Sequence, residues 1–366
     1  MSSLTQRITM TSESEATGQL ELKLNRLIDQ ALKYIEQLQK WDSTSAVSPE
    51  QFDESWFKNE LVKGAKVLSH NATKLSLTAP HQAKDTPEIC TNIEKCILHI
   101  VAVVESVPPS LGVSLQDEIR STSISLLFDV AHLANNFLSK PRSLDSGNKL
   151  GYLSSTGIVW KACQVVENMS MNNEAAVAKK VNSRITLVAD AVLELEEVLE
   201  AGGIADEGWD DLMSDDERET EPKELSDTEK DLVKRCIVIV KATKLMMKKT
   251  MTTLEKDGKK VSSQIINSGK EGRVQVDVER VQMLDELARL SSICSQRVDD
   301  LVSNIDPPIL PAEVASAASM LTSTCTDWIT LAKTLFDEQA TVMWFSTCGV
   351  QLQTVLEQIL EKTSAR

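Results

Sequence analysis

Apolar residues recur every three or four positions along most of this chain, which is the spacing that places them on one face of an α-helix. In the first such stretch, residues 19–41, the apolar positions are Leu20, Leu24, Leu27, Ala31, Tyr34, Ile35, Leu38 and Trp41. The chain has only 13 glycines and 10 prolines in 366 residues. Few turn residues, with abundant Leu, Ala, Glu, Lys and Gln, favour long helices over many short strands. The pattern therefore predicts an all-α protein.

Start and stop signals divide this pattern into about ten helices. Ser48-Pro49 and Thr86-Pro87 each combine a capping hydroxyl with a proline at the first helical position. Val107-Pro108-Pro109 ends one helix and Gly202-Gly203 ends another. The predicted helices cover 19–41, 49 to at least 68, 87–107, 114–138, 155–169, 173–201, 227–256, 277–304, 312–336 and 338–361. A polar loop is predicted at 139–151 and another at 257–273, where residues 261–266 could form a short helix.

An acidic segment interrupts the helical pattern near the middle of the chain. From Asp206 to Glu229 there are 12 acidic residues and two basic ones, a net charge of −10 within a chain whose total is −15. Such a charge density with few apolar residues cannot form a core and predicts a flexible linker. We therefore predict a disordered tail at 1–18, a helical bundle at 19–203, a linker at 204–226 and a second bundle at 227–366, with antiparallel helices in each bundle.

Charge and cysteine content reduce the number of functions that are expected for this chain. A net charge of −15 repels nucleic-acid phosphates and anionic lipids, so neither direct nucleic-acid binding nor membrane binding is expected. There is no apolar run long enough to span a membrane and no signal peptide at the N-terminus. Seven scattered cysteines without any CxxC spacing predict buried, reduced thiols in an intracellular protein. No cofactor is expected.

The acidic segment also holds the candidate functional residues. Trp209 is an apolar anchor within it, and two serines precede acidic residues in the way that acidophilic kinases favour. For Ser226, with Glu229 three residues later, the favoured interpretation is the capping residue of the next helix. The predicted partner-binding or regulatory residues are Trp209, Asp210, Asp211, Ser214, Asp215, Asp216, Glu217 and Ser226.

Two other arrangements suggest chemistry only weakly. Cys96 and His99 lie one helical turn apart and could both reach one metal ion, but two ligands do not make a site, so a core cysteine beside a half-exposed histidine is favoured. The aspartate pairs at 210–211 and 215–216 resemble a magnesium-binding motif with the wrong spacing. No catalytic or metal residues are therefore predicted, and the chain is not expected to be an enzyme.

Several short strings share their order with those of a known family. They are Val159-Trp160-Lys161-Ala162-Cys163-Gln164, Asn172-Asn173-Glu174-Ala175-Ala176, Trp209-Asp210-Asp211, Ser214-Asp215-Asp216-Glu217, Gly258-Lys259-Lys260, and Val298-Asp299-Asp300-Leu301 followed by Pro307-Pro308. Together they resemble the cyclin-D-binding protein family known as GCIP, Maid or HHM, from about residue 52 to the C-terminal helices.

The resemblance implies an all-α protein that binds D-type cyclins. It also implies antagonism of helix-loop-helix transcription factors and restraint of cell-cycle progression and transcription, in the cytoplasm and nucleus. This family is usually described as helix-loop-helix proteins without a basic region, whereas the helices here are predicted to lie inside full bundles. The alternative is a cytoskeletal adaptor built like the vinculin or α-catenin bundles, which share long helices joined by linkers.

Overall fold

The all-α prediction is confirmed by the computed structural model, which describes residues 2–41, 52–78, 86–139, 146–201, 225–267, 277–305 and 308–364. These residues form ten α-helices and one short 3-10 turn at Pro109–Leu111, without any strand. The helices are α1 (Ser2–Gln39), α2 (Glu54–Thr78), α3 (Thr86–Glu105), α4 (Val113–Ser139), α5 (Ser146–Glu167), α6 (Asn173–Ala201), α7 (Asp227–Asn267), α8 (Val278–Ser303), α9 (Pro311–Leu335) and α10 (Gln339–Ser364).

Most helix ends lie within one or two residues of the predicted ones, because many capping residues can be recognised in the sequence. The Asp277 side chain accepts a hydrogen bond from the backbone N–H of Arg280 at 3.1 Å and so caps α8. The start of α2 differs from the prediction. Asp53 caps this helix, accepting from the backbone N–H of Trp56 at 3.0 Å, and the predicted cap Ser48 lies outside the described residues.

Three helices extend well beyond their predicted bounds. The loop predicted at 139–151 was wrong from Ser146 onwards, since α5 begins there, and α7 continues through 257–267 where a loop was predicted. Both extensions contain glycine, which costs a helix only about 1 kcal/mol and does not stop it. Residues 1–18 were predicted as a disordered tail, whereas α1 extends back to Ser2. Residues 2–17 contain no proline or glycine, so helix propagation meets no barrier there.

The helices group into two compact units, divided between Asn173 and Glu174. The predicted division ran through the acidic segment instead and left α6 in the N-terminal bundle. In the structure α6 belongs with α7–α10, because its apolar face is buried in their core and its Glu174 and Glu196 form ion pairs with Arg280 and Lys241. A change in composition marks a linker, but packing decides which helices share a core.

The first unit contains five helices, α1 to α5. α1 packs against α3 and α4, and both α2 and α4 pack against α3 and α5. Gly64 of α2 lies close against α3, where a Cβ on this residue would be 2.9 Å from Ile100 Cγ1. The two helices therefore approach more closely than a larger residue would allow.

The second unit repeats several of these neighbour relations. α7 packs against α8, α9 and α10, and α9 packs against α8 and α10. In both units the second helix contacts the third and the fifth, and the fourth contacts the third and the fifth. The core of the second unit includes the fully buried Trp328, whose indole N–H donates to Thr250 Oγ1 at 2.9 Å. Crossing a bilayer takes about 20 mostly apolar residues in a row, and no helix described above offers such a stretch.

Candidate functional site

Seven of the eight predicted partner-binding or regulatory residues lie in the segment 202–224, outside the described residues. They are Trp209, Asp210, Asp211, Ser214, Asp215, Asp216 and Glu217. Ser226, the eighth, is described and lies at the start of α7. The predicted role of this acidic segment in binding therefore stays a prediction.

Ser226 and Glu229 form the capping box that their spacing predicts. The backbone N–H of Glu229 donates to Ser226 Oγ at 3.3 Å, and the backbone N–H of Ser226 donates to Glu229 Oε2 at 2.8 Å. The Ser226 hydroxyl itself donates to the same carboxylate at 2.6 Å. Two N–H groups at the helix start are satisfied in this way. The structure thus gives Ser226 a capping role while leaving its side chain exposed.

Cys96 and His99 have separate partners on α2. The Asn71 side-chain N–H donates to Cys96 Sγ at 3.8 Å, whereas His99 Nε2 lies 3.0 Å from Glu60 Oε2. These contacts join α3 to α2. Among the described residues, no group of three or more His, Cys, Asp or Glu side chains is placed to hold a metal ion.

The seven cysteines are all free and buried, which confirms their prediction as small core residues. Burial raises the pKa of the Cys90, Cys163 and Cys236 thiols to about 12, and that of Cys348 to about 11. A thiol must lose its proton to act as a nucleophile. These four side chains therefore stay protonated and unreactive near neutral pH.

Two further thiols meet inside the second unit. Cys294 of α8 hydrogen-bonds Cys325 of α9, and this contact, with burial, raises the pKa of Cys294 well above its ordinary value. The Thr243 hydroxyl lies 3.3 Å from Cys325 Sγ. The three side chains link α7, α8 and α9 by weak hydrogen bonds, and all of them are buried.

A groove lies between α4 and α5 on the first unit. Its volume is 470 Å³, and its walls are Ser121, Thr122, Ser125 and Asp129 from α4, and Ile158, Lys161, Ala162 and Val165 from α5. Ile158 is 41% exposed and Val165 is 49% exposed. Such a trough between two helices has the form that receives an amphipathic helix of another chain.

Two large apolar residues of α5 remain in contact with water. Ile158 and Trp160 are both about two-fifths exposed. Trp160 donates from its indole N–H to Thr73 of α2 at 2.9 Å, so its ring lies along the α2–α5 seam. The apolar residues of α5 therefore cover more than one face of the helix, and this distribution can be read from the sequence.

A second, smaller groove of 360 Å³ lies between α8 and α9. It is lined by Asp300, Ser303, Asn304, Glu313, Ser316, Ala317 and Met320. Asp300 already forms an ion pair with Arg297 of its own helix at 3.0 Å. Most of the lining residues are polar. This groove therefore offers less apolar surface to an incoming side chain than the α4–α5 groove does.

Comparison with known proteins links both units to one family. Residues 60–201 match the model of the N-terminal part of the Grap2 and cyclin-D-interacting family, and residues 205–330 match the model of its C-terminal part. The first match extends from α2 through α6, and the second from the acidic segment into α9.

Individual relatives agree with these models. The chain is 24% identical over 292 residues to cyclin-D1-binding protein 1 of Bos taurus, which spans 75% of this chain and 74% of the relative. It is 28% identical over 282 residues to the homolog of that protein in Xenopus laevis (75% and 78%) and 27% identical over 283 residues to the one in Danio rerio (75% and 76%). Since the two family models together match most of its length, the chain belongs to the Grap2 and cyclin-D-interacting family.

Proposed function

We propose that this chain is a non-enzymatic regulator that binds D-type cyclins, helix-loop-helix transcription factors or both, and so restrains cell-cycle progression and transcription. The family match over both units carries this proposal, because the relatives are named for binding cyclin D1. That all seven thiols are buried supports binding as the mode of action over covalent catalysis.

Partners are bound, in this proposal, on the outer faces of the helices. α3 alone buries nine apolar side chains, Ile89, Cys90, Ile93, Cys96, Ile97, Ile100, Val101, Val103 and Val104. At about 1.5 kcal/mol each, exposing them costs more than about 10 kcal/mol, which matches the whole stability of a typical domain. A mechanism in which a helix leaves the core to pair with a helix-loop-helix partner is therefore disfavoured. Binding of the partner to a folded unit is favoured instead.

The acidic segment acts in this proposal as a docking or autoinhibitory arm tuned by charge. Phosphorylation of Ser214 or Ser226 would add a charge of about −1.5 to −2 at each site. Ser226 is exposed, so a kinase has access to its hydroxyl once the hydrogen bond to Glu229 opens. Mass spectrometry of the chain treated with an acidophilic kinase tests both serines, with Ser214→Ala and Ser226→Ala as controls.

Titration calorimetry tests the binding proposal directly. The full chain and a variant lacking residues 206–224 are each titrated with a D-type cyclin. We expect saturable binding to the full chain and an altered affinity for the deletion variant. Equal affinities would show that the acidic segment does not contribute to binding. The lack of any heat or complex with either chain would contradict cyclin binding.

The cytoskeletal alternative makes a different prediction. A vinculin-like or α-catenin-like adaptor would co-sediment with actin filaments, and the cyclin-binding proposal expects no co-sedimentation above that of an unrelated acidic protein. We also propose that the chain works in both the cytoplasm and the nucleus. Imaging of a fluorescent fusion with and without co-expressed cyclin tests this, and exclusion from the nucleus under both conditions would contradict it.

A further inference from the structure

The α4–α5 groove carries two opposite charges on its facing walls. Asp129 lines the groove from α4 and Lys161 lines it from α5. Neither belongs to any ion pair within 4 Å among the described side chains. Partial removal of the Asp129 carboxyl from water raises its pKa, and the electrostatic interaction with His132 on the same helix opposes this rise.

Uncharged side chains form the rest of the groove. The remaining six lining residues are uncharged, and Phe128, beside Asp129 on α4, is 49% exposed. Aromatic and other apolar side chains are typical of the centre of protein interfaces.

The charges on this face are complementary to those on the same face of a second copy. In an interface with two-fold symmetry, each residue i of one copy meets residue j of the other while j meets i. One acidic and one basic group on facing walls satisfy this rule, because Asp129 of each copy can pair with Lys161 of the other. A net charge of −15 makes two copies repel each other over most of their surface, so a locally neutral patch is where they can approach.

We propose that the α4–α5 face is a homodimer interface, in which a second copy of this chain covers Ile158 and Val165 and pairs Asp129 with Lys161 in both directions. The inference goes beyond the proposed function and does not depend on it. Apolar contact supplies the attraction, and the two ion pairs fix the register of one copy on the other.

Sedimentation of the full chain over a concentration series tests the dimer. We expect a reversible increase from the 40.4 kDa chain mass towards twice that value. Asp129→Lys and Lys161→Asp should each weaken association at least about tenfold. The reason is that each substitution places like charges opposite each other at both symmetric positions of the dimer. Asp29→Lys on α1 and Lys66→Asp on α2 are matched controls at exposed positions outside the groove, and they should associate like the parent chain.

A mixture of the two groove variants separates pairing from misfolding. Neither variant should associate alone, yet an equimolar mixture should form a heterodimer. In that heterodimer the introduced lysine of one copy meets the introduced aspartate of the other, and the reverse pair is the native Lys161 with the native Asp129. Restored association supports the proposal. A parent chain that stays monomeric, single variants that still dimerise, or a mixture that stays monomeric would each overturn it.

Discussion

The side chain of Asn173 fills the space that a Cβ atom on residue 112 would occupy. Gly112 has a φ of 120°, and a Cβ built on it would lie 2.1 Å from Asn173 Cγ. Asn173 is held there because its Oδ1 accepts a hydrogen bond from the backbone N–H of Leu115 at 3.0 Å, in the first turn of α4. Nearby, Glu118 accepts from the backbone N–H of Ser170 at 3.1 Å. The segment after α5 is thus fastened to the start of α4.

Replacing this glycine should destabilise the first unit markedly. For Gly112→Ala we expect the free energy of unfolding to fall by about 3 kcal/mol, from backbone strain at positive φ together with displacement of Asn173. Urea unfolding followed by circular dichroism measures it. Gly18→Ala in α1 is the control, since nothing lies within 4 Å of its Cβ position, and it should be neutral or stabilise by up to about 1 kcal/mol. Equal effects would contradict the close contact.

The hydrogen bond between Trp328 and Thr250 gives a prediction for the second unit. Thr250→Val keeps the side-chain shape but removes the acceptor of the buried indole N–H. An unsatisfied buried donor costs about 1–3 kcal/mol, so the unfolding free energy should fall by that amount. Thr252→Val on the exposed side of α7 is the matched control and should change it by no more than about 0.5 kcal/mol. If Thr252→Val lost as much stability, the loss would come from removing any threonine hydroxyl, and not from the contact with the Trp328 indole.

The capping box at the start of α7 should respond to the chemistry of residue 226. Ser226→Ala removes the acceptor for the Glu229 backbone N–H and should cost about 1 kcal/mol of stability. Ser226→Asp keeps a capping oxygen and should stay within a few tenths of a kcal/mol of the parent. Thermal unfolding of the three proteins in one buffer measures the order. An Asp variant as unstable as the Ala variant would contradict capping as the main role of this side chain.

The buried thiols predict a loss of stability at alkaline pH. Burial raises the pKa of Cys236 from its ordinary 9.0 to about 12, so between these values the unfolded chain has released this proton while the folded chain keeps it. Stability from this group is thus complete below pH 9 and falls as pH rises towards 12. In Cys236→Ala this contribution is absent.

Urea unfolding at pH 8 and pH 10.5 checks the sign. Relative to Cys236→Ala, the parent chain should lose about 2 kcal/mol of stability between the two pH values, which follows from the raised pKa. A cavity left by the substitution adds the same offset at both pH values and cancels. A difference between the two proteins that stays constant with pH would contradict the raised pKa.

Helix positions could be predicted well from the sequence, because periodic apolar residues and capping side chains act locally. The predicted bounds of α6 match the observed ones, and the Ser226–Glu229 spacing gave the start of α7. Single glycines were poorer guides to helix ends than the Gly202-Gly203 pair, which correctly predicted the end of α6. Gly147, Gly151 and Gly258 lie inside helices, since a single glycine weakens a helix without ending it.

The grouping of the helices could not be predicted from local patterns. The acidic segment suggested a boundary between two bundles, yet α6 shares its core with helices on the other side of that segment. Which apolar stripes face each other depends on side-chain shapes that are far apart in sequence. The contact between Gly112 and Asn173 likewise joins residues 61 positions apart.

By itself the sequence determined the helical class, the ends of most helices, the burial of the seven thiols and the resemblance to cyclin-D-binding proteins. Only the tertiary structure decided that Ile158 and Val165 stay half exposed and that Asp129 and Lys161 share one groove. The physical reason is that periodicity shows which residues of a helix are apolar, whereas the positions of neighbouring helices decide which of those residues remain in contact with water.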